Sequence, residues 1–349
     1  MRLKISLIAI AMATIACGQA SAKELATLQR IDAGQVRLTR ESQVPVSVWI
    51  SADTVLDQGD TRMFENTRKR DLVVALPKQE REYVILQASD GTTSVVAERL
   101  LPLEQGSNFR DIGGYVTKDG KVVRWGKAFR SGAMPMLTDA DYALLGQLGV
   151  DAVVDFRSLE ERSLAPDLLD DRTGALFIAN DYSMRDLMTG MAAQGGEDMY
   201  KGMEKLLVPQ FRSLYRRIMA DEGAVVYHCS AGQDRTGIAT ALLYDMLGVD
   251  RETILADYHL STQWRDPRWE MSRESLAAHP DNPLVKVYTS MPEDQRNKAQ
   301  PLYTKSGASH LAQFFTYLDA EYGGSEGYMK KALGFSDEEI ARLRAVMLQ

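Results

Sequence analysis

A cysteine and an arginine stand six positions apart in a short turn, at Cys229 and Arg235. An apolar, β-prone run at residues 224–227 precedes the turn, and a helix-prone run that stops at Gly248 follows it. Backbone N–H groups in such a turn point inward and bind an anion, and the helix N-terminus adds partial positive charge. A thiolate is a strong nucleophile, and an arginine fork binds two phosphate oxygens. The spacing therefore predicts a phosphate-binding loop in which a thiolate attacks phosphorus.

Strand-like and helix-like segments alternate around this loop from residue 104 onward. Strands are predicted at residues 122–125, 128–131, 151–156, 175–178 and 224–227. Helices are predicted from Thr138 to Gly149, at residues 205–220, after Asp250, across residues 311–322 and after Ser336. This alternation is typical of an α/β fold with a central mixed or parallel sheet flanked by helices, which binds ligands at the carboxyl ends of its strands. Cys229 is expected at such a strand end.

The region before residue 104 has a different pattern. Short alternating runs occur at residues 35–38, 44–50, 72–76, 83–86 and 93–97, with polar turns between them. Regularly spaced strands predict a small antiparallel β-sandwich over residues 23–103, similar in pattern to fibronectin type III or immunoglobulin-like modules. Two roles are open for it: protein docking, or a structural cap on a catalytic domain at residues 104–349.

The first 22 residues have the pattern of a secretory signal peptide. Arg2 and Lys4 precede an apolar run at residues 5–15, and small residues at 20–22 form a cleavage site. A periplasmic or secreted location is therefore expected, with lipidation at Cys17 as the alternative. Cleavage would leave Cys229 as the only cysteine, which excludes an internal disulfide. No other segment approaches the roughly 20 apolar residues of a transmembrane helix.

Charge and composition limit the classes of partner that we expect. Charged residues make up 26% of the chain, its formal net charge is −7, and its hydrophobic fraction of 45% is that of a globular protein. An acidic chain does not favour nucleic acid or anionic membrane surfaces as partners, so clustered arginines must attract an anionic substrate locally. The four histidines show no metal-ligand spacing, and we expect neither a metal nor another cofactor.

Several further segments carry a resemblance to a known family. They are residues 108–114 (Asn-Phe-Arg-Asp-Ile-Gly-Gly), 129–132, 155–158 with Glu161, 228–237 and 256–258. From about residue 103 to the C-terminus, the chain resembles the bacterial tyrosine/lipid phosphatases of the secreted, phosphoinositide-phosphatase-like kind. The resemblance implies a cysteine-phosphatase fold that hydrolyses phosphotyrosine through a phosphocysteine intermediate. Phosphoserine, phosphothreonine and phosphoinositides are further substrates that it implies.

Roles follow for the residues of the loop. Cys229 is the predicted nucleophile, and Arg235 holds the phosphate oxygens together with the backbone amides. The loop residues expected to bind substrate are Ser230, Ala231, Gly232 and Gln233. Thr236 is expected to donate its hydroxyl to the sulfur when the thiolate departs. His228 is expected to orient the loop from behind.

Three aspartates compete for the role of general acid, which must protonate the leaving oxygen. Asp181 is the first candidate, because it follows a strand at the position where the family carries its acid-bearing loop. Asp234 is the second, because it lies within the phosphate loop. Asp186 is the third.

Arginines and tyrosines near these segments are additional candidates. Arg110 and Arg130 are predicted to bind substrate at the phosphate entrance. Their alternative role, and the expected role of Arg157, is to form ion pairs with Asp111, Asp155 or Glu161. Tyr182 and Tyr200 are candidates to stack on an aromatic substrate.

Other functions remain open on the sequence. Many bacterial members have lysine at the position of Gln233, and its absence reduces the positive charge available to polyphosphorylated headgroups. An inositol-phosphate phosphatase of the phytase-like kind would need a more basic pocket than this. A phosphate-binding pseudoenzyme is disfavoured, because Cys229, Arg235 and candidate acids are all present.

Overall fold

The structure is a computed structural model that describes residues 24–185 and 200–349. The predicted signal peptide with Cys17 and the third acid candidate, Asp186, lie outside the described residues. Within those two ranges, no helix is long and apolar enough to cross a membrane.

Two antiparallel sheets make up the N-terminal region. Their strands are β1 (Ala26–Arg30), β2 (Gln35–Arg40), β3 (Val46–Ser51), β4 (Thr61–Thr67), β5 (Asp71–Ala75), β6 (Tyr83–Ala88) and β7 (Thr93–Val96). One sheet has the order β1-β2-β5 and the other β4-β3-β6-β7. Val36 and Val74 from the first sheet share a fully buried apolar core with Val48 and Val84 from the second. The predicted antiparallel β region is confirmed. The sequence did not indicate β1 or β4. Strand β4 is mostly exposed and lacks apolar alternation.

A mixed sheet forms the centre of the second region, as predicted, and it has five strands in the described part of the chain. Its strands are β8 (Arg110–Asp111), β9 (Ala128–Ser131), β10 (Val150–Asp155), β11 (Leu176–Ala179) and β12 (Ala224–His228), in the order β11-β10-β12-β9-β8. Strands β9 to β12 run parallel, and β8 is antiparallel to β9. His228 pairs in register with Asp155 on one side and Ser131 on the other. Three parallel strands therefore end together immediately before Cys229.

Helices flank this sheet. They are α1 (Asp139–Leu145), α2 (Leu159–Leu164), α3 (Leu169–Thr173), α4 (Met203–Leu206), α5 (Val208–Ala220), α6 (Arg235–Leu247), α7 (Arg251–Trp264), α8 (Arg273–Ala278), α9 (Pro283–Ser290), α10 (Glu293–Arg296), α11 (His310–Tyr322), α12 (Ser325–Lys331) and α13 (Asp337–Met347). The predicted capping residues Thr138 and Ser336 each form a capping box, at α1 and α13.

Two predicted elements differ from the structure. Residues 122–123 form only isolated bridges, not a strand, because their partners are Val116 and Leu348 in separate segments. The predicted helix at residues 205–220 is two helices, α4 and α5. Proline lies at the start of α5, where its missing N–H is tolerated but a continuous helix would lose a hydrogen bond.

Buried polar contacts join the N-terminal sheets to the central sheet. Arg81 donates to the Asp111 carboxylate at 2.5 Å, and Arg99 donates to the Asp111 carbonyl at 3.1 Å. The indole of Trp125 donates to the Val95 carbonyl at 3.0 Å. The two regions therefore share a buried junction at β8. The predicted domain boundary at residue 103 stays a prediction.

Candidate active site

The loop from Cys229 to Asp234 connects β12 to α6, and its shape depends on Gly232. This glycine has φ +64°, and a Cβ there would lie 2.5 Å from the Ser131 carbonyl oxygen. No side chain fits at that distance, because the clash is with backbone. Cys229 is buried, with 1% of its surface exposed, while Ser230 and Ala231 are half-buried.

Carbonyl groups of the loop are held from behind by residues of the 108–114 segment and β9. The Asn108 amide donates to the Ala231 and Gly232 carbonyls at 3.3 and 3.0 Å, and Arg130 donates to the Gly232 carbonyl at 2.8 Å. In a trans peptide the N–H points opposite to its C=O. The amides that follow these two carbonyls are therefore turned to the other side, as an anion-binding loop requires.

A buried cluster centred on Asp257 of α7 supports this arrangement. Its carboxylate accepts from Arg130 at 3.0 Å, from Arg110 at 3.4 Å and from the Tyr115 hydroxyl at 3.1 Å. Burial works to raise the pKa of this carboxyl, but the guanidiniums of Arg110, Arg130 and Arg99 outweigh it and hold the pKa at about 2. Asp257 is therefore ionised and compensates buried positive charge.

This cluster corrects the prediction that Arg110 and Arg130 bind substrate. Their exposed fractions are 0% and 1%, and both guanidiniums are engaged by Asp257 and by backbone or hydroxyl groups. Side chains this deeply buried cannot line the entrance to the phosphate loop. They position the loop instead, and their carboxylate partner is Asp257, not the three predicted acids.

Arg99 connects the same cluster to the N-terminal region. Its guanidinium lies 3.8 Å from the centre of the Tyr115 ring, and the Tyr115 hydroxyl donates to Asp257. Since Arg99 also helps to lower the pKa of Asp257, residues near the N-terminal sheets contribute to the charge balance behind the loop.

Glu161 of α2 orients the loop arginine. Two nitrogens of Arg235 donate to the two oxygens of Glu161 at 2.7 and 2.6 Å, and the Ser230 hydroxyl donates to the same carboxylate at 2.5 Å. Burial works to raise the pKa of Glu161, but Arg235 and Ser230 outweigh it and hold the pKa at about 2. Nε of Arg235 has no hydrogen-bond acceptor in the described part of the chain, so this edge of the guanidinium is the one left for a phosphate oxygen.

Replacing Glu161 with glutamine is expected to lower kcat/KM for p-nitrophenyl phosphate by about tenfold, because charge-assisted hydrogen bonds contribute about 1.5–3 kcal/mol. The change retains the shape of the side chain but removes the charge that orients Arg235. Steady-state kinetics of the purified protein measure the effect. Glu65→Gln is the matched control, since Glu65 is exposed on β4, and it should retain wild-type kinetics. Equal values for the two variants would contradict the role of Glu161.

A second buried network lies behind Cys229. Arg157 donates to Asp155 at 2.7 Å and to Asp167 at 2.8 Å, as predicted for an ion-pairing arginine. The His228 ring nitrogen lies 3.2 Å from Asp167, on the side expected for a residue that orients the loop. Asp155, Asp167 and His228 have the composition of a metal-binding group. However, Arg157 already binds both carboxylates and supplies the positive charge that a metal would supply.

The aspartates proposed as general acid occupy different surroundings. The Asp181 side chain is 65% exposed and forms an ion pair with Arg162. Asp234 is half-buried in the loop and accepts a hydrogen bond from the Tyr200 hydroxyl at 2.7 Å. Tyr200 is fully buried, and its hydroxyl also hydrogen-bonds Tyr258. Its ring is therefore not accessible to a substrate, in contrast to the suggested stacking role. It positions Asp234.

Tyr182 and Gln233 also have protein partners. The Tyr182 hydroxyl donates to the Phe156 carbonyl at 2.8 Å and accepts from Arg235 at 2.8 Å. Gln233 is buried, and its amide oxygen accepts from Arg265 at 2.7 Å. The side chain of Gln233 is therefore turned to Arg265, whose guanidinium is also paired with Glu270 at 2.8 Å.

Asp257 and Arg265 are functional candidates that the residue pattern did not single out. Asp257 lies in the 256–258 segment, which carries part of the family resemblance, so this segment could have identified it. Arg265 follows the end of α7 with no sequence signal, because its contact with Gln233 spans 32 residues.

Comparison with known proteins identified a family and several similar proteins. The family model described as "Tyrosine phosphatase family" matches residues 101–349. The Tyrosine-protein phosphatase of Nostoc commune is 32% identical over 224 residues, which are 62% of this chain and 72% of that protein. The Triple specificity protein phosphatase PtpB of Mycobacterium tuberculosis is 26% identical over 274 residues, covering 69% and 96% of the two chains. The crystal structure of P. aeruginosa TpbA covers 49% of this chain and 91% of its own, with 18% identity and a TM-score of 0.27.

The chain therefore belongs to the tyrosine phosphatase family, whose members are phosphoric monoester hydrolases. The resemblance stated on the sequence is confirmed at this level. The matched region contains the whole central sheet and the loop with Cys229 and Arg235.

Proposed function

We propose that this chain hydrolyses phosphotyrosine through a phosphocysteine intermediate. The observation that carries the proposal is a buried Cys229 in a loop whose arginine, Arg235, is oriented by the Glu161 carboxylate. The amides of residues 230–233 and the Arg235 guanidinium hold the phosphate oxygens while the sulfur attacks phosphorus.

The reaction takes two displacements. Attack forms the S–P bond and breaks the P–O bond to tyrosine, whose oxygen takes a proton from a carboxylic acid. Water then attacks phosphorus and returns a proton to that carboxylate, and the S–P bond breaks to release inorganic phosphate and the thiolate. The Thr236 hydroxyl is buried and makes no hydrogen bond to another described residue, which supports its role as donor to the departing sulfur.

We assign the general acid to Asp234 in preference to Asp181. Asp234 lies in the loop itself, and a buried tyrosine hydroxyl holds its carboxyl group. The Asp181 side chain is 65% exposed and is held by the Arg162 guanidinium, not by a residue of the loop.

Replacing Asp234 with asparagine is expected to lower kcat by about 10²–10⁴-fold, the usual contribution of a general acid or base. The loss should be larger for phenyl phosphate than for p-nitrophenyl phosphate, because a poorer leaving group depends more on protonation. Asp181→Asn is the matched control and should change kcat little. The assignment is wrong if Asp181→Asn shows the large loss and Asp234→Asn does not.

A substrate panel tests the proposed function itself. We expect the highest kcat/KM for a phosphotyrosine peptide, compared with phosphoserine and phosphothreonine peptides, phosphoinositides and inositol hexakisphosphate. The relative from M. tuberculosis is named a triple specificity protein phosphatase, which supports including the other phosphopeptides. Preference for inositol hexakisphosphate would favour the phytase-like alternative, and binding without turnover would favour a pseudoenzyme.

Two further proposals concern location and the N-terminal sheets. The charged start, apolar run and small residues of positions 1–22 support export to the periplasm or medium, with lipidation at Cys17 as the alternative. A reporter fused to residues 1–22 should be exported and cleaved.

The buried contacts of Arg81 and Arg99 with β8 support a structural role for residues 23–103 over protein docking.

A further inference from the structure

A large groove lies beside the phosphate loop. Its volume is about 1000 Å³, and it is bounded by residues 265–277 and 288–300 together with Met136. This volume is at the upper end of small-molecule sites, which range from about 300 to 1,000 Å³. A single phosphate group therefore fills only a small part of it.

Two contacts connect the groove to the catalytic loop. Arg265 lines the groove and donates to the Gln233 side chain at 2.7 Å, and Gln300 lines it with its carbonyl 3.5 Å from the Gln233 amide nitrogen. Gln233 lies four residues after Cys229. A substrate whose phosphate occupies the loop would therefore extend its remaining atoms along the groove.

The charge of the groove favours an anionic occupant. Among the described residues, five cationic and three anionic side chains line it. Arg265 is neutralised by Glu270 at 2.8 Å. By contrast, Arg273 forms no ion pair with another described residue, and Arg296 donates only to the carbonyls of Met291 and Thr289. Two guanidiniums along the groove therefore have no carboxylate partner within residues 24–185 and 200–349.

The rest of the lining distinguishes a peptide from a polyphosphorylated headgroup. Trp269, Met271, Tyr288 and Met291 supply apolar surface between the charged residues. Aromatic, methionine and arginine side chains are enriched at protein-binding surfaces. A headgroup with several phosphates has no apolar side chains to bury against this surface, whereas a peptide has them.

We propose that this groove binds the peptide that flanks the phosphotyrosine, with Arg273 and Arg296 selecting acidic residues in that flank. The inference rests on the proposed function and deepens it, since it names phosphorylated, acidic polypeptide as the substrate class. Arg273 and Arg296 are specificity-determining residues in this proposal. They have no contact with the catalytic loop in the structure.

The test compares two phosphotyrosine peptides of equal length, one with aspartate and glutamate around the phosphotyrosine and one with asparagine and glutamine. The variant carries Arg273→Glu together with Arg296→Glu. We expect its kcat/KM for the acidic peptide to fall by about tenfold or more, because like charges placed together in an interface cost several kcal/mol. Values for the neutral peptide and for p-nitrophenyl phosphate should stay near those of the wild type.

Arg216→Glu is the matched control, because Arg216 is an exposed arginine of α5 outside the groove. It should leave the preference for the acidic peptide unchanged. The proposal is overturned if the groove variant loses activity equally on all three substrates, or on none. A selective loss on phosphoinositides would overturn it in favour of a lipid headgroup.

Binding separates this inference from the proposed function. The Cys229→Ser protein, which retains the loop but lacks the nucleophile, should bind the acidic peptide more tightly than the neutral one in fluorescence anisotropy. The groove substitutions should abolish that difference. Equal affinity for both peptides overturns the groove proposal even where the wild type hydrolyses phosphotyrosine. Tight binding by a wild type that hydrolyses neither peptide overturns the catalytic proposal alone.

Discussion

Replacing Cys229 with serine is expected to lower kcat for p-nitrophenyl phosphate by about 10⁴-fold or more, as observed generally when a catalytic nucleophile is removed. The loop places the sulfur at the end of β12, among backbone amides and next to an oriented Arg235. A serine hydroxyl in the same position is not ionised and cannot form the S–P bond. Initial-rate kinetics of the two purified proteins measure the effect.

Two controls separate loss of chemistry from loss of structure. The exchange replaces one buried atom by a smaller one, so the melting temperature should change by only a few degrees. The variant should also still bind vanadate or phosphate, since the loop amides and Arg235 remain. Turnover at the wild-type rate would rule out the cysteine mechanism. If Cys229→Ser does not fold, Cys229→Ala provides the same kinetic and binding comparison.

Replacing Asp257 with asparagine is expected to lower the free energy of unfolding by about 3–5 kcal/mol, the usual cost of removing one partner of a buried ion pair. The carboxylate compensates Arg110 and Arg130, both fully buried. Without it, two guanidiniums remain in the interior with uncompensated charge. Urea denaturation followed by circular dichroism measures the difference.

The matched control for this prediction is Asp281→Asn, because the Asp281 side chain is fully exposed. Its effect should stay within about 0.5 kcal/mol, as for most surface substitutions. If Asp257→Asn has the same free energy of unfolding as the wild type, the cluster is not needed for folding.

Acid pH gives an independent check on the same carboxylate. The pKa of Asp257 is about 2 in the folded protein, below the ordinary 3.8, since Arg110 and Arg130 outweigh the effect of burial. A group with a depressed pKa stabilises the fold above its unfolded pKa and loses that contribution as pH falls through the folded pKa. The stability difference between wild type and Asp257→Asn should therefore be constant above pH 3.8 and shrink as the pH falls toward 2.

The loop and its elements could be predicted from sequence because their interactions are local. The spacing from Cys229 to Arg235, the strand before it and the helix after it lie within one continuous segment. Gly232 is required by its own backbone conformation and by the neighbouring Ser131 carbonyl. Capping boxes at Thr138 and Ser336 were predictable for the same reason, since each involves residues three positions apart.

Ion-pair partners were not predictable, because they depend on how distant elements pack. Arg130 and Asp257 are separated by 127 residues, and Arg110 and Asp257 by 147. A sequence shows that these arginines stand near family segments, but not whether they face the pocket or the interior. Asp257 of α7 forms ion pairs with Arg110 of β8 and Arg130 of β9 in the interior, which made both arginines positioning residues.

The sequence alone predicted the chemistry proposed for this protein, with Cys229 as the nucleophile and Arg235 for phosphate. It also predicted the mixed sheet that carries them, because both are contained in short-range patterns. Only the tertiary structure decided which residues surround that chemistry. It placed Asp234 against Tyr200 while leaving Asp181 exposed, and it turned Gln233 to Arg265 at the end of the groove. These outcomes depend on burial and on contacts between distant segments, which no local pattern of residue types contains.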